Sequence, residues 1–325
     1  MIPSSDLTIV SYHYVRPHRA DGGLASRALS LASFRHQLDH IGRHYAVVTA
    51  EAVIAASCDN GALPPRAIWL TFDDGYRDHY QYVLPELVAR GWQGSFFPVG
   101  CAIDGAELLD VNRIHFILVN APSVDALVAE IRQALDRAGR AGSPGIDGWQ
   151  VYWKRFATPY RFDCAKTMFV KRLLQHGLPE QLRRRVLQGL FVKFVGTDPS
   201  ELARELYMNR AELKQVRAAG MFIGSHGWSH RRLPTLSASD RECEIDRSRT
   251  LIGELGANPA CWVMAYPHGE VDDVVERSLQ QKGCRLGLTI RPEVAHLRTG
   301  NVLRLPRLDA NHLPTLPRQT DSVAS

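Results

Sequence analysis

Two short stretches of this sequence set chemistry-bearing side chains directly after apolar runs. Asp73 and Asp74 follow Ala67-Ile68-Trp69-Leu70-Thr71-Phe72 and precede Gly75. His226 and His230 stand in Gly224-Ser225-His226-Gly227-Trp228-Ser229-His230, after Met221-Phe222-Ile223. Adjacent carboxylates repel each other unless a cation or a proton compensates them, and two imidazoles four positions apart can reach one metal ion. Neighbouring side chains diverge, so one carboxylate can ligate while the other faces a substrate as a base. Asp-Asp-Gly alone also makes a good turn, and among thirteen histidines a pair at that spacing recurs by chance. Context separates these two stretches: each sits at the end of a strand-like run. His36, His40 and His44 repeat the spacing on a helical stretch, on the face opposite Phe34 and Leu38, with no carboxylate pair attached, and read as solvent-facing.

The elements that must carry these groups alternate. Leu7–Val10 reads as a buried strand running into Ser11-Tyr12-His13-Tyr14-Val15, followed by a polar Gly-rich loop through Ala25. Ser33 is expected to cap a helix over Phe34–Arg43, and Tyr45–Thr49 to form a strand. Ala67–Phe72 predicts a strand, Tyr80–Arg90 a helix closed by Gly91, and Gly94–Val99 the next strand. From about Asp104 to Leu206 the pattern turns helical, over Val124–Ala138, Cys164–Leu174 and Leu178–Leu190, around a Gly/Pro-rich loop at Ala141–Gly148. Then βα alternation resumes: helix Arg210–Ala219, strand Met221–Ile223, helix Asp240–Leu255, strand Trp262–Tyr266, helix Asp272–Lys282 and a strand around Leu286–Ile290. The expected organisation is a βα unit over 1–103 and 207–325, interrupted by a helical insertion at 104–206. Beyond Leu313 the tail is rich in Pro, Thr and Ser and is expected to fray.

Composition narrows the classes. The chain has 325 residues, 45% hydrophobic and 22% charged, the profile of a folded globular protein. The net charge of +5 is small for this length and its Lys and Arg are interspersed with acids, so nucleic acid is not implied. The cluster Arg183-Arg184-Arg185 lies in a helical stretch and reads as a solvated face. Six cysteines form no Cys-x-x-Cys pair, which argues against a zinc ribbon or a redox dithiol. No apolar run is long enough to span a membrane, and the first residues lack the basic start and apolar stretch of a signal peptide, so a cytoplasmic setting is expected.

Leu70-Thr71-Phe72-Asp73-Asp74-Gly75-Tyr76 together with Ser225-His226-Gly227-Trp228-Ser229-His230 resembles the first two motifs of the polysaccharide deacetylase family, carbohydrate esterase family four. Ala265-Tyr266-Pro267-His268-Gly269 resembles its third motif. Leu305-Pro306-Arg307-Leu308-Asp309 is similar to a late segment, and Tyr12-His13 with Phe34–Leu38 to the usual opening. The resemblance covers the chain outside the insertion, in the family's order. It implies an α/β fold, an irregular (β/α)7-type barrel with a metal at the C-terminal strand ends.

Carried over by position, the resemblance makes Asp74, His226 and His230 metal ligands and Asp73 the general base. One carboxylate and two neutral imidazoles leave open positions on Zn²⁺, with Co²⁺, Ni²⁺, Mn²⁺ and Fe²⁺ as alternatives. The backbone N–H of His268 would help hold the oxyanion. Three positions depart from the pattern. Gly227 stands where Ser or Thr is usual, Ala265 where Arg is common, and His268 where Tyr is common. The orientation of Asp73 then falls to another group, for which Arg307 is the candidate. The family's late Leu-x-His motif is not recognisable, and His312 is the first substitute for the acid that protonates the leaving amine, followed by His13 and His268. Tyr76, His13, Trp228 and Asp309, with His115 from the insertion, are candidate substrate contacts. The implied activity is removal of an N-acetyl or N-formyl group from an amino sugar, with a nucleotide-linked precursor of a surface glycan as the expected substrate and the insertion as a cover selecting it. A deacetylase of polymeric glycan and a catalytically idle glycan-binding or assembly member are the alternatives.

Overall fold

A computed structural model describes residues 6–18, 23–58, 61–104, 107–142, 145–160 and 163–316. Most of the polar tail beyond Leu313 and part of the Gly-rich loop before Ala25 lie outside the described residues. The chain packs as two compact units, one of 1–18, 27–107 and 204–325, the other of 19–26 and 108–203.

The first unit is a ring of parallel pairings. Strand β1 (Asp6–Tyr12) pairs with β2 (Ala67–Asp74), β2 with β3 (Ser95–Pro98), and β3 with β4 (Phe222–Ile223). A parallel bridge between Ser225 and Met264 leads to β5 (Trp262–Ala265), which pairs with β6 (Cys284–Leu288). A second bridge, Leu288 to Leu305, leads to β7 (Leu308–Asp309), which returns to Val10 and Ser11 of β1 and closes the ring. This is an irregular (β/α) barrel.

All eight residues of β2 are buried, as expected of a parallel strand covered on both faces, and this is why it reads as an unbroken apolar run. Alternation divides its side chains. Ala67 and Trp69 join Leu7, Ile9, Phe97, Val263 and Leu286 in the barrel interior. Ile68, Leu70 and Phe72 pack outward with Val10, Tyr12 and Phe96 against Phe34, Leu213, Ile245 and Val275 of the surrounding helices. The stack of Phe72 on Tyr12 (5.1 Å) and on Phe96 (4.9 Å) crosses three neighbouring strands. By the same period of two, Thr71 and Asp73 fall on the interior face.

Helices α1 (Leu31–His44), α2 (Leu84–Ala89), α3 (Arg210–Ala218), α4 (Ala238–Glu254) and α5 (Asp273–Gln281) line the outside. α1 starts earlier than Ser33 because the Ser30 hydroxyl accepts from the Ser33 N–H, making Ser30 the cap and burying Ser33 inside the helix. The expected helix Tyr80–Arg90 is instead a π-helical stretch, His79–Val83, followed by α2. Pro85, lacking an N–H, removes an i→i−4 bond there and favours the wider turn. The strand expected at Tyr45–Thr49 is only Ala46–Val47. α3 opens with a capping box, Asn209 and Glu212 each accepting from the other's backbone N–H at 2.9 Å. Asn209→Ala should therefore cost about 1 kcal/mol in urea unfolding.

The second unit is helical, with Asp110–Asn120, Val124–Arg140, Trp149–Phe156, Ala165–Arg172 and Glu180–Phe194. Leu127, Ile131 and Leu135 on one helix, and Leu187 and Phe191 on another, are buried at helical spacing, which gives each of these two an apolar stripe. Arg184 pairs with Glu180 along the helix and Arg183 with Asp110, so part of the basic cluster is tied down rather than simply solvated. Among the described residues no helix is long and apolar enough to cross a membrane.

Candidate active site

The end of β2 breaks sharply. Asp74 takes φ 69° and Gly75 φ 70°, so the backbone reverses hand and the two carboxylates part. Asp73 stays on the interior face, 1% exposed, while Asp74 turns toward the loop after β4. Besides Arg66, the described non-glycine residues with positive φ are Asp74, His230 and His268. Left-handed backbone is unfavourable with a β-carbon and persists where the surroundings over-determine it. Its concentration at these three residues marks one site.

Asp74, His226 and His230 come together with their ligand atoms all within 4.8 Å of one another. The Nε2 atoms of His226 and His230 each lie 3.5 Å from Asp74 Oδ1. Two ligands on one tetrahedral ion with bonds of about 2.0–2.1 Å sit about 3.3 Å apart, so the spacing is that of atoms sharing an ion. Asp74 Oδ1 is buried and has no hydrogen-bond partner, a state that costs free energy unless a cation compensates it. The donor set of one carboxylate and two imidazoles suits Zn²⁺ or a similar ion. His226 Nδ1–H donates to the Ala265 carbonyl at 2.6 Å, which leaves the Nε2 lone pair facing Asp74. His230 is held well below the ordinary imidazole pKa by burial, then by the charge of His226, and so is neutral, as a ligand must be.

Asp73 is tied to the far end of the chain. Arg307, 1% exposed, donates Nη1 to Asp73 Oδ1 at 2.9 Å and Nη2 to Oδ2 at 2.7 Å, with Nη1 also reaching Thr71 Oγ1 at 3.1 Å and Nε the Thr289 carbonyl at 2.9 Å. Burial alone would raise the Asp73 pKa; the Arg307 guanidinium, aided by His226 and His13, outweighs it and holds the carboxyl below the usual range. Asp73 is therefore ionised and fixed in orientation by a bidentate pair.

His13 is exposed just past the last pairing of β1 with β2, Tyr12 opposite Phe72, so the next residues of the two strands are His13 and Asp73. The His13 carbonyl accepts from Nε2–H of the buried His79 at 2.7 Å, a support that sequence reasoning missed. His268 is half-buried with its ring 4.6 Å from that of His230, and burial lowers its pKa. Tyr76 is buried and stacks on Tyr14 (4.2 Å) and Tyr207 (5.8 Å). The Trp228 ring lies against Gly100, where any β-carbon would clash, and 3.7 Å beneath the Arg247 guanidinium. Asp309 caps the following turn by accepting from the Asn311 N–H, and His312 is exposed at the end of that turn. His115 is half-buried on the helix Asp110–Asn120 of the other unit.

Comparisons with known proteins bear on the family and the fold. The family model for polysaccharide deacetylase matches residues 60–134 and 197–287, which include both motif stretches. The poly-beta-1,6-N-acetyl-D-glucosamine N-deacetylase of Escherichia coli K12 is 31% identical over 118 residues, covering 33% of this chain and only 17% of the relative. Among solved structures, a Streptococcus pyogenes deacetylase, PplD, in complex with acetate superposes with a TM-score of 0.57 at 16% identity, covering 94% of this chain and 92% of its own. IcaB from Ammonifex degensii does so with 0.52 at 16% identity, covering 93% and 91%. At these identities the structural likeness speaks for the fold, while the family match spans about half of the chain, both motifs included. The chain belongs to the polysaccharide deacetylase family.

Proposed function

We propose that this chain is a metal-dependent deacetylase that hydrolyses the N-acetyl group of amino-sugar residues in a glycan. The observation that carries the reading is the joint arrangement of Asp74, His226 and His230 around one point with an ionised Asp73 clamped by Arg307. Asp74, His226 and His230 would hold the ion, for which Zn²⁺ is the best fit; when bound it supplies Lewis acidity toward an amide carbonyl and toward water. Asp73 takes the proton of the attacking water, and Arg307 keeps that carboxylate charged and aimed. We assign protonation of the leaving nitrogen to His13 rather than His312, because His13 is exposed and is the residue next in register to Asp73. Water is added across the C–N bond, releasing acetate and a free amine.

A polymeric substrate is favoured over the nucleotide-linked precursor that the sequence led us to expect. The Escherichia coli relative is named for a poly-beta-1,6-N-acetyl-D-glucosamine substrate. The test is acetate release by the purified protein, metal-free and reloaded with Zn²⁺, from β-1,6- and β-1,4-linked N-acetylglucosamine oligomers and from nucleotide-linked N-acetyl amino sugars. Release from the oligomers only when Zn²⁺ is restored is the expected result. Release from the nucleotide sugars alone would return the substrate to a precursor. Stoichiometric metal with no release from any of them would mark an idle binding protein.

A further inference from the structure

The loop from His226 to His230 lacks the side-chain hydroxyl that its family usually places after the first histidine. Gly227 stands there with φ 78°, and a β-carbon would lie 3.3 Å from Pro267 Cγ. Something else must hold the loop, because His230 has a left-handed backbone (φ 56°) that a β-carbon disfavours.

The substitute comes from α4. Glu244, 7% exposed, accepts from the Trp228 N–H at 3.1 Å and the Ser229 N–H at 2.8 Å through Oε2, and from the Ser229 hydroxyl through Oε1. One turn along the same helix face, Ser248 Oγ accepts from Ser225 Oγ at 2.9 Å, and Ser225 Oγ in turn accepts from the Gly227 N–H at 3.1 Å. Arg247 covers the Trp228 ring. A buried carboxylate is costly unless its charge is met by donors, and three of the donors that meet it belong to the two residues immediately before His230. Charge-assisted bonds to consecutive peptide N–H groups fix the plane from which the His230 side chain departs.

We infer that Glu244 is a positioning residue that holds His230 in its ligating geometry, replacing the hydroxyl absent at Gly227. The inference rests on the reading of Asp74, His226 and His230 as ligands of one ion. It is tested on the full chain, stripped of metal, by Zn²⁺ titration against a competing chromophoric chelator and by the visible spectrum after Co²⁺ loading. Glu244→Ala should weaken Zn²⁺ binding by about 10- to 100-fold and shift the Co²⁺ bands. Glu244→Gln, which keeps an acceptor oxygen for the two N–H groups, should restore both to near the wild-type values. Glu244→Asp, shorter by one methylene, should fall between them and serves in place of the alanine variant should that fail to fold. A purely structural role would lower the thermal midpoint of the metal-free protein while leaving Zn²⁺ affinity and the Co²⁺ spectrum unchanged, and that result overturns the inference. Wild-type protein that takes up no Zn²⁺ would overturn the ligand reading itself and this inference with it; wild-type binding with an unaffected alanine variant would overturn this inference alone.

Discussion

Asp73→Asn should keep its metal and lose turnover by about 10²- to 10⁴-fold, the range associated with loss of a positioned general base. The asparagine amide is nearly the shape of the carboxylate and can still accept from Arg307 through its oxygen, so the strand end survives. It cannot take a proton from water. Asp74, which reaches the ion position from the opposite side of a left-handed turn, is untouched by the change. Metal content by emission spectroscopy and acetate release on the same preparation separate the two roles: full activity in Asp73→Asn would remove the proposed base, whereas loss of metal would mean that both aspartates ligate.

Arg307→Met should be the most damaging change for stability, about 3–5 kcal/mol in urea unfolding, because it strands a buried carboxylate. The guanidinium meets both oxygens of Asp73, the Thr71 hydroxyl and the Thr289 carbonyl, all inside the barrel. The double variant Asp73→Asn with Arg307→Met should recover part of the loss, since neither charge then remains; strict additivity of the two single losses would show that the pair is not coupled. The same contact sets a pH signature. With Arg307 present Asp73 is deprotonated far into acid; without it, burial pushes the carboxyl pKa up. The base must be ionised to act, so replacing Arg307 should move the acidic limb of kcat/KM toward higher pH. An acidic limb at its wild-type position would argue that Asp73 is not the group that titrates.

The legible part of this molecule is the part where burial and backbone hand act together. β2 shows in the sequence because a strand buried on both faces must be apolar throughout, and Asp73 and Asp74 show because charge appears where that run stops. His226 and His230 are visible for the same reason after β4. Arg307 is legible through a gap, the missing Arg at Ala265, together with the late segment Leu305–Asp309 in which it stands. The start of α1 was misplaced because Ser30 and Ser33 are both competent caps and only the hydrogen bond decides between them. The π-helical turn at His79–Val83 depends on how Pro85 is accommodated, which periodicity does not encode. Glu244 does not stand out in the sequence from Asp240, Glu242 and Asp246 on the same helix. Yet Arg241, Glu244, Ile245, Ser248, Leu251 and Ile252 form its buried face. A carboxylate on that face, at helical spacing from Ser248, is a signal that could have been read. The proximity of His13 to Asp73 follows from strand register, which no single segment contains.

Asp73 and Arg307 stand 234 positions apart, and their meeting depends on the last stave of the barrel docking beside the first. The strand that follows Arg307 directly, β7, pairs with Val10 and Ser11 of β1, so the guanidinium reaches Asp73 as the seam between those two staves forms. Ring closure and neutralisation of the buried carboxylate are thus a single event, so a chain shortened before Arg307 would lose both the seam and the cation that meets Asp73.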